Sequence, residues 1–115
     1  MRVHNADNIL DKTEFNNQTD WETYPTTDYT CDNCNQTVSL SLKDFTKHAY
    51  NDYSNLTQKD KQTVDATISA SVDNIPSSQL DFYCPTCRRP VRIYYDSWAG
   101  GHHGEAGYCL KYVVD

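Results

Sequence analysis

Little in this chain resembles the material of an ordinary hydrophobic core. Leu, Ile, Val and Phe fill 20 of its 115 positions, under the roughly one-fifth below which a charged chain is suspected of staying unfolded. Mean hydropathy is −0.80 and the formal net charge is −6, so a large self-sufficient core is excluded. No run of 18 apolar residues occurs, which argues against a membrane-spanning helix. No apolar segment follows Met1-Arg2, so no secretory leader is expected and a cytoplasmic location is. Basic residues are also scarce, 10 against 16 acids, and a strong footprint for nucleic acid is missing.

Two residue classes are abundant. Nine Tyr, two Trp and three Phe are more aromatic surface than solvated chains carry, and each can bury about 150–250 Å². The five cysteines are the second class, and four of them form a pattern. Cys31-Asp-Asn-Cys34 and Cys84-Pro-Thr-Cys87 are two C-x2-C pairs separated by residues 35–83, with Cys109 left over. Two-residue spacing lets both thiolates of a turn face one ion, and two such turns complete a tetrahedron. One structural Zn²⁺ on Cys31, Cys34, Cys84 and Cys87 is therefore expected. A disulfide framework would need an oxidising compartment and sits poorly with an odd cysteine count. A thioredoxin-like redox pair would use one C-x2-C in a βαβ setting, whereas two are present. Cys109, in the apolar run Tyr108-Cys109-Leu110, is expected to be a buried, inert thiol.

Along the chain, residues 1–30 carry Asp7, Asp11, Glu14, Asp20, Glu22 and Asp28 against Arg2 and Lys12. Their apolar residues lack sustained periodicity, so an acidic arm packing on the domain is expected. Residues 31–115 form the single zinc-binding domain. Alternation at Val38, Leu40 and Leu42 predicts a strand, and Phe45, Ala49 and Tyr53, four apart, predict a short helix. Thr57-Gln-Lys-Asp60 has the form of a capping box, and Val64, Ile68 and Val72 extend a second helix over about 58–72. A helical insertion over 43–72 thus lies between the cysteine pairs. Strands are predicted at 80–83, 90–95 and 108–114, the last with a free edge that could permit a dimer. All four glycines fall at 100, 101, 104 and 107, within a predicted loop over 96–107.

The cysteine turns, each followed by a strand and the second reading Phe82-Tyr-Cys-Pro-Thr-Cys-Arg-Arg-Pro90, resemble the knuckles of zinc-ribbon proteins. That resemblance implies a small antiparallel β-sheet around one zinc, here an α+β fold carrying the two-helix insertion. It implies metal and fold rather than function, since zinc ribbons occur in transcription, ribosomal and adaptor proteins.

Three functions compete. Nucleic-acid binding would rest on Arg88, Arg89 and Arg92 against a net acidic chain. Catalysis would rest on His102, His103 and Glu105 in the glycine-rich loop, but a four-cysteine site leaves no open metal position. Protein binding accounts for more: acidic charge steers and selects a cationic partner while aromatics anchor it. The expectation is a non-enzymatic module binding a basic protein, most concretely a bacterial immunity or antitoxin protein neutralising a toxin domain, which small acidic chains are similar to in size and charge. Candidate contact residues are Tyr94, Tyr95, Trp98, His102, His103 and Glu105, with Asp44, Asp52 and Tyr53 of the insertion. The alternative is a zinc-ribbon accessory factor acting on nucleic acid or the transcription or translation machinery.

Overall fold

Three strands near the C-terminal end, β5 (Ser78–Tyr83), β6 (Pro90–Ala99) and β7 (Ala106–Val114), form an antiparallel meander with β6 in the middle. The computed structural model describes residues 1–17, 20, 23, 25–48, 54–99 and 106–115. Along β6 the side chains alternate between two apolar clusters, as the period of two requires. Val91, Ile93 and Tyr95 enter the larger cluster, while Tyr94 enters the smaller one. Both faces of β6 are therefore covered along this stretch.

The N-terminal residues pack on the domain by strand pairing. Strand β1 (Val3–Asn5) and strand β2 (Glu14–Asn16) both pair with β7, one beside each half of it, and the short helix α1 (Ala6–Ile9) lies between them. The final strand is thus flanked on both sides by neighbours from the same chain, and the free edge expected for it is occupied. Three-residue strands leave no periodic trace in sequence, and their partners lie about a hundred positions away. Strand β3 (Thr26–Thr30) pairs with β4 (Thr37–Ser41) as a second, two-stranded sheet. Every strand pairing among the described residues is antiparallel, and the fold is mixed α+β.

Among the described residues two helices lie between the cysteine pairs, on opposite faces of the larger sheet. Helix α2 (Leu42–His48) contributes Leu42 and Phe45 to the larger cluster. Helix α3 (Gln58–Ser71) contributes Val64 and Ile68 to the smaller one. The start of α3 follows the capping chemistry: Thr57 Oγ1 accepts the Asp60 N–H at 3.2 Å. The continuation of the first helix toward Ala49 and Tyr53 lies outside the described residues.

Aromatic rings supply what the aliphatic count lacks. Phe15, Phe45, Tyr95 and Tyr108 form a chain with centroid separations of 5.3, 5.2 and 5.7 Å, within the range of favourable ring pairs. The Tyr95 hydroxyl donates to the Phe45 carbonyl at 2.8 Å, so its polar end is satisfied inside the core. Burial, with Tyr108 alongside, raises the Tyr95 hydroxyl above its ordinary pKa.

One buried charge pair holds the α3 side together. Arg92, 2% exposed, donates from Nε and Nη2 to the two carboxylate oxygens of Asp81 at 2.6 and 3.0 Å. Its Nη1 reaches Asp65 on α3 at 2.8 Å and the Tyr94 hydroxyl at 3.2 Å. Burial alone would push the guanidinium down, but Asp81 and Tyr94 hold it above its usual range. Ser54 Oγ also donates to Asp81. On the same side the Tyr83 hydroxyl donates to Asp60 and accepts the Thr57 N–H at 3.0 Å.

Candidate metal centre

Both C-x2-C segments make the same turn between two antiparallel strands, the first joining β3 to β4 and the second joining β5 to β6. In the first, Cys31 donates its N–H to Gln36 O at 2.9 Å and accepts from Asn35 N–H at 2.8 Å. In the second, Cys84 donates to Arg89 O at 2.8 Å and accepts from Arg88 N–H at 2.9 Å. The residue after the second cysteine is left-handed in each turn, with φ of 61° at Asn35 and 63° at Arg88. Asn tolerates this conformation through its short polar side chain; for Arg it costs on the order of 1 kcal/mol. The Arg88 guanidinium lies 5.2 Å from the Tyr83 ring centroid, a contact that offsets part of that strain.

The two turns meet through their sulfurs. Cys31 Sγ lies 3.6 Å from Cys87 Sγ, and Cys34 Sγ lies 3.4 Å from Cys84 Sγ, each close pair drawing one cysteine from each turn. All four Sγ atoms fall within 4.8 Å of one another. A tetrahedral zinc with Zn–S bonds of about 2.3 Å requires S···S edges of about 3.8 Å, and the four sulfurs are spaced accordingly. All five cysteines are free thiols. Cys31 and Cys84 are buried and belong to the larger apolar cluster, while Cys34 and Cys87 are partly exposed.

Electrostatics within the cluster favour a cation. The Asn33 side chain and the Arg89 N–H draw the Cys87 thiol down to about 6. The N–H groups of Cys87 and Thr86 draw Cys84 down against the effect of burial. At Cys34 the Gln36 N–H pulls in the same direction, yet burial and the three neighbouring sulfurs push the thiol up to about 12. Sulfurs this close cannot all carry charge unless a positive ion sits among them, and a divalent ion is what would allow four thiolates together. Four cysteine ligands close the coordination sphere, so such an ion would staple the two sheets and leave no position for a substrate.

An outer ring of charge surrounds the turns. Asp32 pairs with both Arg2 and Arg89, and these two guanidinium groups lower its pKa. Asp115, whose side chain is 4% exposed, accepts the Tyr29 hydroxyl at 2.7 Å and contacts His4 Nε2 at 2.9 Å. Arg2 and Arg89 also approach Asp115, at 3.4 and 3.7 Å. The two turns touch directly where Thr86 Oγ1 donates to Gln36 Oε1 at 3.0 Å. Such outer contacts orient ligand-bearing loops.

The structure distributes the expected partner-binding residues unevenly. Tyr94 and Tyr95 do not form a surface wall: they are 3% and 0% exposed, because β6 is the central strand of the meander and is covered on both faces there. Trp98, beyond that covered stretch, is 43% exposed. Asp44 accepts the Ser41 N–H at 2.8 Å and thereby caps the start of α2. Asp52, Tyr53, His102, His103 and Glu105 lie outside the described residues. The Arg88, Arg89 and Arg92 group is not a basic patch, since Arg92 is buried on Asp81 and Arg89 is engaged by Asp32. Cys109, expected to be buried, is partly exposed.

Neither a family model, nor a curated protein, nor a solved structure matches this chain. Among the described residues no helix is long and apolar enough to cross a membrane.

Proposed function

We propose that the chain is a non-enzymatic, zinc-stapled module, built on two zinc-ribbon-like knuckles, that acts by binding a basic protein. The observation that carries this reading is the closed set of four cysteine sulfurs within 4.8 Å. A site of that kind stabilises structure and has no place for a reacting group. Loading one Zn²⁺ on four thiolates also takes two further units from a formal charge already at −6, which favours cationic partners and repels phosphate. Arg92 is withdrawn from solvent and Arg89 is neutralised by acids, which weakens the alternative reading of an accessory factor on nucleic acid. Toxin neutralisation, in the manner of an immunity protein, is the most concrete form of the proposal.

Affinity capture with the zinc-loaded protein, followed by washes of rising salt, tests the choice. Stoichiometric retention of one basic protein is expected. Retention of RNA or DNA that is lost with salt would instead favour the nucleic-acid reading.

A further inference from the structure

We infer that the open half of the larger sheet, on the face that α3 covers only in part, is the surface that receives a Lys- or Arg-bearing segment of the partner; this rests on the protein-binding reading above. Helix α3 packs over Tyr94 and Val114, and toward the opposite end of that face Asp96 and Trp98 are exposed. There the strand register sets two adjacent rows: Asn16, Gly107 and Trp98 in one, Glu14, Cys109 and Asp96 in the next. Residues two apart on a strand share a face, so these rows make one surface.

That surface is shaped as a receptor. Trp98 lies flat across Gly107: a methyl group at Gly107 would fall 2.4 Å from Cε2 and Cζ2 of the indole. Only glycine lets the ring rest on the strand, with its outer face toward solvent. A cavity of about 400 Å³ lies beside the ring, lined by Trp98, Lys12, Glu14 and Cys109, and a second of about 380 Å³ shares Glu14 and Cys109 with it but does not border Trp98. Glu14 has no ion-pair partner among the described residues. Among the described residues the two lysines lining these cavities are already engaged: Lys12 lies 3.8 Å from Asp20, and Lys111 bonds Cys109 with Asp96 close by.

The chemistry selects the occupant. An indole face attracts a cation, more strongly when water is displaced. Carboxylates at Glu14 and Asp96 stand two strands apart, about 10 Å, so an ammonium or guanidinium over the indole has an acid within reach on either side. A net charge of −6 steers such a segment in and rejects an anionic one. An apolar segment would leave Glu14 desolvated and unpaired.

NMR titration of the zinc-loaded, ¹⁵N-labelled protein with a synthetic twelve-residue peptide alternating lysine and glycine tests this. The Trp98 indole N–H and the amides of Glu14, Asn16, Asp96 and Cys109 are expected to shift and saturate together. Trp98→Ala and the double exchange Glu14→Gln with Asp96→Asn should each weaken binding by about tenfold or more, while Asp28→Asn, on the other sheet, should not. Shifts centred elsewhere, or unchanged affinity in both variants, would overturn the assignment. So would equal binding of an RNA 12-mer, or the same shifts appearing on self-association without peptide. If captured basic protein stays bound to both variants, this face is wrong and the interaction reading stands; if the wild-type chain retains no basic protein, both fall.

Discussion

Removing the metal is the perturbation with the largest expected effect. The four sulfurs join the β3–β4 sheet to the β5–β6 hairpin. The β3–β4 sheet is also held by Tyr29 and Leu40 in the larger apolar cluster, the Tyr29–Phe82 ring pair at 5.8 Å, the Thr86–Gln36 hydrogen bond and the Arg89–Asp32 ion pair. Structural zinc contributes apparently about 10–16 kcal/mol in finger peptides at pH 7, as much as or more than the 5–15 kcal/mol that separates a typical native state from its unfolded chain. Even about 4 kcal/mol of that would lower Tm by about 15 °C in a domain of this size. The purified protein should hold about one zinc per chain by elemental analysis. On chelation, thermal unfolding followed by circular dichroism should shift down by at least that amount, and amide protection should be lost first in β3 and β4. Cys84→Ser, at a position with no solvent exposure, should give substoichiometric zinc and the same loss without chelator. A metal-free protein melting within a few degrees of the loaded one would refute the reasoning, as would purified protein without bound metal.

Two further outcomes follow from buried charge and from thiol protonation. Asp81→Asn leaves the Arg92 guanidinium, 2% exposed, without its principal counter-charge; breaking a buried pair from one side costs about 3–5 kcal/mol. Urea unfolding of the zinc-loaded variant should register that loss, and a change under about 1 kcal/mol would contradict the buried pair. Acidification should release the metal, because protons compete with it for the thiolates; Cys87 and Cys84 are lowered even without an ion, Cys87 to about 6, and a bound cation lowers them further, so release is expected between about pH 6 and pH 4. Zinc release followed with a colorimetric chelator should rise across that interval, and retention of full zinc at pH 4 would contradict it.

The four-cysteine cluster was legible in the sequence because its geometry is local. Cys-x2-Cys spacing positions two sulfurs through a turn whatever surrounds it, and the turn recurs at Cys31–Cys34 and at Cys84–Cys87 with matching backbone hydrogen bonds. The second helix was legible for the same reason, through Thr57 and the four-residue spacing of Val64 and Ile68. The pairing of Arg92 with Asp81 had only a faint signal, one arginine at an alternate position of an apolar strand, and nothing local named its partner.

Composition by itself determined that aliphatic burial would be lean, and cysteine spacing that four thiols could face one ion. Tertiary structure alone decided what the tyrosines are for. Tyr29, Tyr94, Tyr95 and Tyr108, each no more than 4% exposed, fill the interior; for Tyr94 and Tyr95 the reason is that β6 lies between two strands and under two apolar layers. Trp98, four residues past Tyr94 on the same strand, stays at the surface because α3 ends its coverage before reaching it and Gly107 gives its ring a place to rest. Residue type is a property of the chain, but whether a ring packs or binds depends on what a distant segment lays over it.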